Sequence, residues 1–369
     1  MEYLPFTKPD VDEETILGVA EVLRSGWLAT GPNVQAFEAQ LSDYLEGRIV
    51  RSFTSATGAL EVALEICGIG EGDEVITPAM SFAATPNVIM RVGAKPVFVD
   101  VDIHSRNIDL DAVEKAITPK TRAIMPVHFA GLSANCDGLY DIAQRHDLRV
   151  IEDAAHAIGT TWHGKKIGSF GDLVSFSFHP NKNMTTIEGG ALSLSDPLEA
   201  EKLDRLRFHG ILKDDEGNQD VVLPGGKYNL SDVAARVGLG QLKRLEEFNE
   251  KRARLVEHYF ECWSLENCLL PANGAGHSWH MFAPLIPFED FRISRQAFIK
   301  KMHEKGIGIG IHYPALHLFS LYRKLGYREG DFPNAERIGR ETVTLPLFPK
   351  MEFGDVESVI AAISGILGS

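Results

Sequence analysis

The 369-residue chain sets 37 lysines and arginines against 51 aspartates and glutamates, a formal net charge of −14, with 44% hydrophobic and 24% charged residues. This is the composition of a folded globular protein, and the length suggests two domains. The acidity excludes a global basic footprint for nucleic acid, and no apolar run approaches the ~20 residues of a membrane-spanning helix.

The first residues, Met1 to Thr15, have neither a basic n-region nor an apolar h-region, so a cytoplasmic protein with no membrane partner is expected. Cys67, Cys136, Cys262 and Cys268 form no CxxC pair and no metal-ligand spacing, so reduced thiols and no metal are expected. Along the chain the pattern predicts helix 57–67, strand 74–78, helix 83–91, strand 96–101, helix 110–117 and strand 122–127. Helix 136–146 and strands 148–152, 173–178 and 190–194 follow. Short apolar strands alternating with helices imply an α/β fold with a large, mostly parallel sheet. After Leu230 the pattern changes. Two helices are expected over 232–255, then a smaller α/β unit: strand 279–286, a helix capped by Ser294, strand 308–313, and helices 334–342 and 355–366. The expected division is a large domain, 1–250, and a small C-terminal domain, 251–369.

No GxGxxG loop sits between a strand and a helix, and Walker, HExxH and GxSxG motifs are missing. What remains is a constellation. Strand 148–152 delivers Asp153 at its C-terminal end, the edge where open α/β sheets bind ligands. The next strand carries Ser177 and runs out to Lys182, 29 residues beyond Asp153, just before the glycines of TIEGG. TSATGAL (54–60) opens a helix whose free N–H groups and hydroxyls suit a phosphate. Phe82, after strand 74–78, offers an aromatic face. Amine, carboxylate, phosphate cup and aromatic platform together match pyridoxal 5'-phosphate, with Lys182 as Schiff-base lysine and Asp153 as partner of the pyridine nitrogen.

With these residues placed, the chain resembles the DegT/StrS-type sugar aminotransferases, which are fold-type I pyridoxal-phosphate enzymes. The resemblance runs nearly end to end, through LRSGWLATGP, SATGALEVAL, GDEVITPAMSF, VIEDAAHAIG, SFHPNKNMTTIEGG, KYNLSDVAARVGLGQL, GIHYPALH and FPNAERIGRETVTLPLFP. It implies that Lys182 and Asp153 are catalytic. It also implies that Phe82 stacks on the ring, that Ala56, Thr57 and Ser177 hold the phosphate, and that His156 lies near the ring or its phenolic oxygen. By the same resemblance Asn229 reaches the phosphate of a neighbouring subunit, so the active sites of a homodimer are shared. As a residue in its own right, Asn229 could instead cap the helix starting at Ser231–Asp232. Thr30, Lys227, His312, Tyr313 and His317 are the expected substrate contacts, with Arg207 and Arg236 as reserve donors.

The implied reaction passes an amino group from glutamate, through pyridoxamine phosphate, to a keto group on a nucleotide-linked sugar. IEDAAH, KYNLSD and SWHMF look most like enzymes acting on UDP-4-keto sugars for envelope or glycan aminosugars, although Phe82 replaces a tryptophan of that branch. A 3-aminotransferase of dTDP- or UDP-3-keto sugars is the alternative. A 3-dehydratase would carry His in place of Lys182, and a non-catalytic regulator would have no need of Lys182, Asp153, Ser177 and Thr57.

Overall fold

A computed structural model describes residues 3–368. The first two thirds build a seven-stranded sheet. Its strands are β1 (Ile49–Phe53), β2 (Glu74–Pro78), β3 (Lys95–Val99), β4 (Thr121–Ile124), β5 (Arg149–Asp153), β6 (Leu173–Ser177) and β7 (Gly190–Leu194). They lie in the order β1-β7-β6-β5-β4-β2-β3, with only β7 opposed to the rest. Strands β2, β6 and β7 are buried along their whole length. That two-faced burial is why they read as continuous apolar runs rather than alternating ones. This is the α/β architecture with a large, mostly parallel sheet that the sequence pattern implies.

Helix starts follow local chemistry. Asp12, Ser55, Asn135, Ser231 and Ser294 each accept an N–H from the first turn of the helix they precede. Helix Pro32–Tyr44 has Gly31 at that place, which has no side chain to offer. Buried Asp232, from another helix, fills the role by accepting from the N–H groups of Asn33 at 3.2 Å and Val34 at 2.9 Å. Ser231 being the cap of helix Asp232–Lys243 removes Asn229 from that duty.

The last third packs around Tyr259, Phe282, Phe298, Leu345 and Val356, with the Tyr259 and Phe282 rings stacked 4.7 Å apart. Residue 250 falls inside the continuous helix Leu245–Cys262, and the chain start joins this unit through a Leu4–Ile307 bridge. The strands expected over 279–286 and 308–313 are reduced to isolated bridges, Phe282 with Leu345, Leu285 with Leu269 and Thr342, and Gly310 with Thr344. Pro284, Pro287 and Pro314 bring no N–H to a ladder, so pairing stops after single contacts. Also unforeseen from sequence are β1 and the helices Glu13–Ser25 and Pro32–Tyr44.

One close approach sets the geometry of the sheet edge. A Cβ on Gly190, the first residue of β7, would come within 2.4 Å of the Ala56 backbone nitrogen and 2.5 Å of the Ser55 carbonyl carbon. Only glycine lets the start of helix Ala56–Ile66 sit against β7. Gly190→Ala is therefore expected to cost about 1–3 kcal/mol, because backbone rather than a flexible side chain must move. Urea unfolding of wild type and variant measures this, and an unchanged midpoint would show that the helix start is free to shift.

Candidate active site

The same sheet edge collects side chains from six strands. Helix Ala56–Ile66 follows β1, Ser81 and Phe82 follow β2, and Val127 follows β4. Asp153 ends β5, Ser177 ends β6, and Gly189 precedes β7. Together they line a cavity of about 240 Å³. Lys182 enters it from the turn after β6, and His312 and Tyr313 close it from the C-terminal third. That segment is tied down where Leu316 donates to the Ala79 carbonyl at 2.8 Å.

Asp153 is 5% exposed. One carboxylate oxygen accepts from the Thr85 hydroxyl at 2.8 Å, the other from the Ala155 N–H at 3.1 Å. Burial pushes its carboxyl above the usual range, opposed by those two bonds and by the charges of Lys182 and His128. Lys182 is shifted the other way, down to about 8, by burial, with Asp153 opposing. Each group alone is costly in the cavity. A ligand presenting a protonated ring nitrogen to Asp153 and a carbonyl carbon to Lys182 would relieve both.

Three histidines, His156, His280 and His312, are held neutral. Burial drives His156 and His280 well below the usual imidazole range, and their rings lie 4.4 Å apart. His156 Nδ1 accepts from the Ala130 N–H at 3.3 Å, so its proton sits on Nε2, 3.2 Å from the Tyr313 hydroxyl. His312 is pulled down to about 4 by burial and by Lys182, and its Nδ1 lies 2.8 Å from the Thr344 hydroxyl. It offers a hydrogen bond rather than a charge. Phe82, 60% exposed, overhangs the cavity with its ring centroid 5.9 Å from that of Tyr313. Most of this phenyl ring is left open to a ligand.

The sequence-predicted residues divide into three groups. Ala56, Thr57, Phe82, Asp153, His156, Ser177, Lys182, His312 and Tyr313 all line this one cavity. Thr30 and Asn229 do not. They line a separate open groove of about 1000 Å³, where Asn229 bonds the Thr30 hydroxyl and the Lys227 amine. His317 is in neither place. It is fully buried, bonded to Glu336 at 2.9 Å and packed edge-on against Phe332, so the expected substrate contact is corrected to a core histidine. The reserve donors are engaged as well, Arg207 by Glu38 and Asp204 and Arg236 by the Glu14 carbonyl.

A model of the DegT/DnrJ/EryC1/StrS aminotransferase family matches residues 9–364. The chain belongs to this aminotransferase family. It is 40% identical to a UDP-4-amino-4-deoxy-L-arabinose--oxoglutarate aminotransferase of Shewanella sediminis, over 100% of this chain and 99% of the relative. It is 38% identical to the spore coat polysaccharide biosynthesis protein SpsC of Bacillus subtilis, over 99% and 97% of the two chains. Among solved structures, Spr1654 of Streptococcus pneumoniae in its PMP form superposes with a TM-score of 0.93 at 33% identity, covering 99% of this chain and 98% of the other. The residues of the present cavity fit that cofactor: a helix N-terminus beside the Ser177 hydroxyl for the phosphate, a buried carboxylate, a depressed amine and an unclaimed aromatic face.

Sequence reasoning missed four contributors in this aminotransferase. Thr85 holds Asp153 from 68 residues away, and nothing local marks that partner. His280 pairs with Asn183 at 3.2 Å beneath His156. Glu188 and His179 reach the cavity mouth, and both lie inside the segment already quoted, so proximity to Lys182 was the available signal.

Because Lys182 titrates near 8 in the empty fold and near 10.5 ordinarily, the unfolded chain binds more protons between those values. Cofactor-free stability at this site therefore rises as pH passes from 8 to 10.5. Lys182→Met should raise the melting temperature of the cofactor-free protein by roughly 2 °C or more at neutral pH. The advantage should fade as pH climbs through that window. Thermal melts at several pH values test this, and a pH-independent difference would mean that Lys182 is not penalised by burial.

Proposed function

We propose that the chain is a pyridoxal-phosphate-dependent sugar aminotransferase that moves an amino group from glutamate to C4 of a UDP-linked 4-keto sugar. The observation that carries the sugar and the position is the end-to-end similarity to the Shewanella relative, whose name gives both, and the oxoglutarate in that name is the keto acid that glutamate becomes on giving up its amine. The SpsC relative supports an envelope or glycan setting. Four unpaired cysteines agree with a cytosolic site of action.

When bound, pyridoxal phosphate supplies an electron sink and a carbonyl that can carry the amino group between two substrates. The chain's own residues do the rest. The free N–H groups of Ala56 and Thr57, with the Ser177 hydroxyl, hold the phosphate at the positive end of a helix. The Asp153 carboxylate would hold a proton on the ring nitrogen, and Phe82 would cover the ring and exclude water. Lys182 Nζ, with its affinity for protons lowered to near neutrality, takes a proton from the donor carbon and returns one to the acceptor carbon. His156 Nε2 orients the Tyr313 hydroxyl over the same cavity.

Lys182 is the only Lys or Arg among the cavity-lining residues. The nucleotide diphosphate must therefore be met at the rim, and exposed Lys227 is the proposed donor. Lys227 stands over the Phe208 ring at 4.8 Å and bonds Asn229. Asn229 is not a lining residue of its own chain's cavity, which supports a role in the site of a second copy. If so, mixing Lys182→Ala chains with Asn229→Ala chains, each badly impaired alone, should restore about a quarter of the sites in a random mixture of dimers, read as specific activity after subunit exchange. No recovery despite exchange would place Asn229 within its own chain.

The substrate assignment is tested by incubating holoenzyme and glutamate with UDP-, dTDP- and GDP-linked 3-keto and 4-keto sugars. The UDP-4-keto sugar is expected to turn over fastest and to yield a C4 amine by NMR. An amine at C3 would support the 3-aminotransferase reading instead.

A further inference from the structure

Asp153 is held by a chain of two buried hydroxyls that none of the roles above employs. Thr85 is 0% exposed and stands in the first turn of helix Ala84–Arg91. Its Oγ1 lies 2.8 Å from Asp153 Oδ2 and 2.8 Å from the Ser81 Oγ. Ser81 is itself 2% exposed and lines the cavity beside Phe82. The proton order along this chain has one solution while Asp153 is ionised. A carboxylate only accepts, so Thr85 donates to Asp153. Thr85 has a single proton and has spent it, so Ser81 must donate to Thr85. Ser81 is left with lone pairs toward the cavity and no proton to offer.

We infer that Thr85 is a positioning residue for the aminotransferase reaction, with Ser81 polarising it, and that together they hold Asp153 as an anion aimed at the ring nitrogen of the cofactor. The inference rests on the cofactor part of the proposed function and not on the identity of the sugar. Asp153 receives two hydrogen bonds, from Thr85 on one oxygen and from the Ala155 N–H on the other. These fix the carboxylate plane and leave one further lone pair on each oxygen for a ligand. The Thr85 bond is the side-chain one, and it comes from the helix that follows Phe82. The residue that overhangs the ring and the residue that orients the ring's counter-ion are thus three positions apart in one turn, where the Thr85 N–H also bonds the Phe82 carbonyl at 3.3 Å. Stacking and proton retention are mechanically linked by this arrangement.

The consequence has a sign. Without the Thr85 hydroxyl, Asp153 loses a bond that favours its charged form and becomes the stronger base. It draws more of the shared proton away from the ring nitrogen. A ring that withdraws less charge leaves the attached lysine nitrogen more basic, so the midpoint of the visible-band titration moves up. The other titratable groups whose charge bears on Asp153 are Lys182, His128 and Tyr313, and the substitutions below leave all three in place.

The test needs no sugar. Holoenzyme carrying Thr85→Val, Thr85→Ser or Ser81→Ala is titrated by visible absorbance across the pH range, and cofactor dissociation is measured by equilibrium dialysis. For Thr85→Val the midpoint is expected to rise by about one pH unit and cofactor affinity to fall about tenfold. Thr85→Ser keeps the hydroxyl and should restore both, and Ser81→Ala should give a smaller shift of the same sign. A purely structural Thr85 would change the melting temperature but leave the midpoint where it is. Wild-type midpoint and affinity in folded Thr85→Val overturn the inference. Should that variant not fold, an unmoved midpoint in Ser81→Ala overturns it, since the relay then transmits nothing. Loss of turnover with every keto sugar, beside an intact midpoint shift, would count against the substrate assignment alone.

Discussion

A carboxylate shut away from water at the end of a parallel strand is the constraint on which the rest of this site depends. Asp153 cannot be left ionised there without compensation, since an isolated buried charge is among the most costly things a fold can contain. The surroundings are arranged to offset it in parts: a hydroxyl from the helix after β2, a backbone N–H two residues on, and the charges of Lys182 and His128. His128 is itself held, its Nε2 lying 2.7 Å from Glu152 and its Nδ1 accepting from the Ala134 N–H. Even so the carboxyl remains raised. The fold therefore offsets part of the cost and leaves a deficit that a positively charged ring nitrogen would fill. A site built this way favours the cofactor that makes up the deficit over a neutral ring of the same shape.

The second requirement is that six strands deliver their contributions to one edge. Topology does this almost without cost: in a parallel sheet every strand ends on the same side. The exception is β7, which runs the other way and so begins where its neighbours end. Its first residue is Gly190, and the absence of a side chain there lets the N-terminus of helix Ala56–Ile66 lie against it. The helix N-terminus proposed to hold the phosphate owes its place at the edge to that contact. The second glycine of TIEGG, legible as part of a motif, has its physical reason in a backbone approach from a helix more than a hundred residues earlier.

How much could be read from sequence follows from how local the cause is. Strands buried on both faces and helices with Ser, Asp or Asn caps are local statements, and the core α/β pattern is present in the chain's own periodicity. The gathering of Lys182, Asp153, Ser177 and the TSATGAL turn also follows from strand order plus the rule that ligands bind at strand ends. What fails is everything decided by distant partners. Trp279–Ile286 has strand-like composition, but its prolines reduce pairing to single bridges. His317 shares the residue type of a ligand contact, and only the fold reveals Glu336 waiting for it. Thr85 looks like an ordinary helical threonine until β5 is placed beneath it.

The charge balance of the pocket then constrains where the substrate's own charge can go. With His156 and His312 held neutral by burial, Lys182 is the one Lys or Arg lining a cavity that also contains Asp153 and Glu188. The cofactor phosphate would consequently fall to helix N–H groups and hydroxyls, whose partial charges do not titrate and so stay constant while Lys182 gains and loses protons. A nucleotide diphosphate brings further negative charge that these fixed dipoles, already committed, cannot meet. On the proposed function it would stay outside the cavity, with Lys227 as the proposed donor, while only the sugar enters. The separation of the two tasks allows one fold to keep its proton chemistry unchanged and vary its substrate through surface residues.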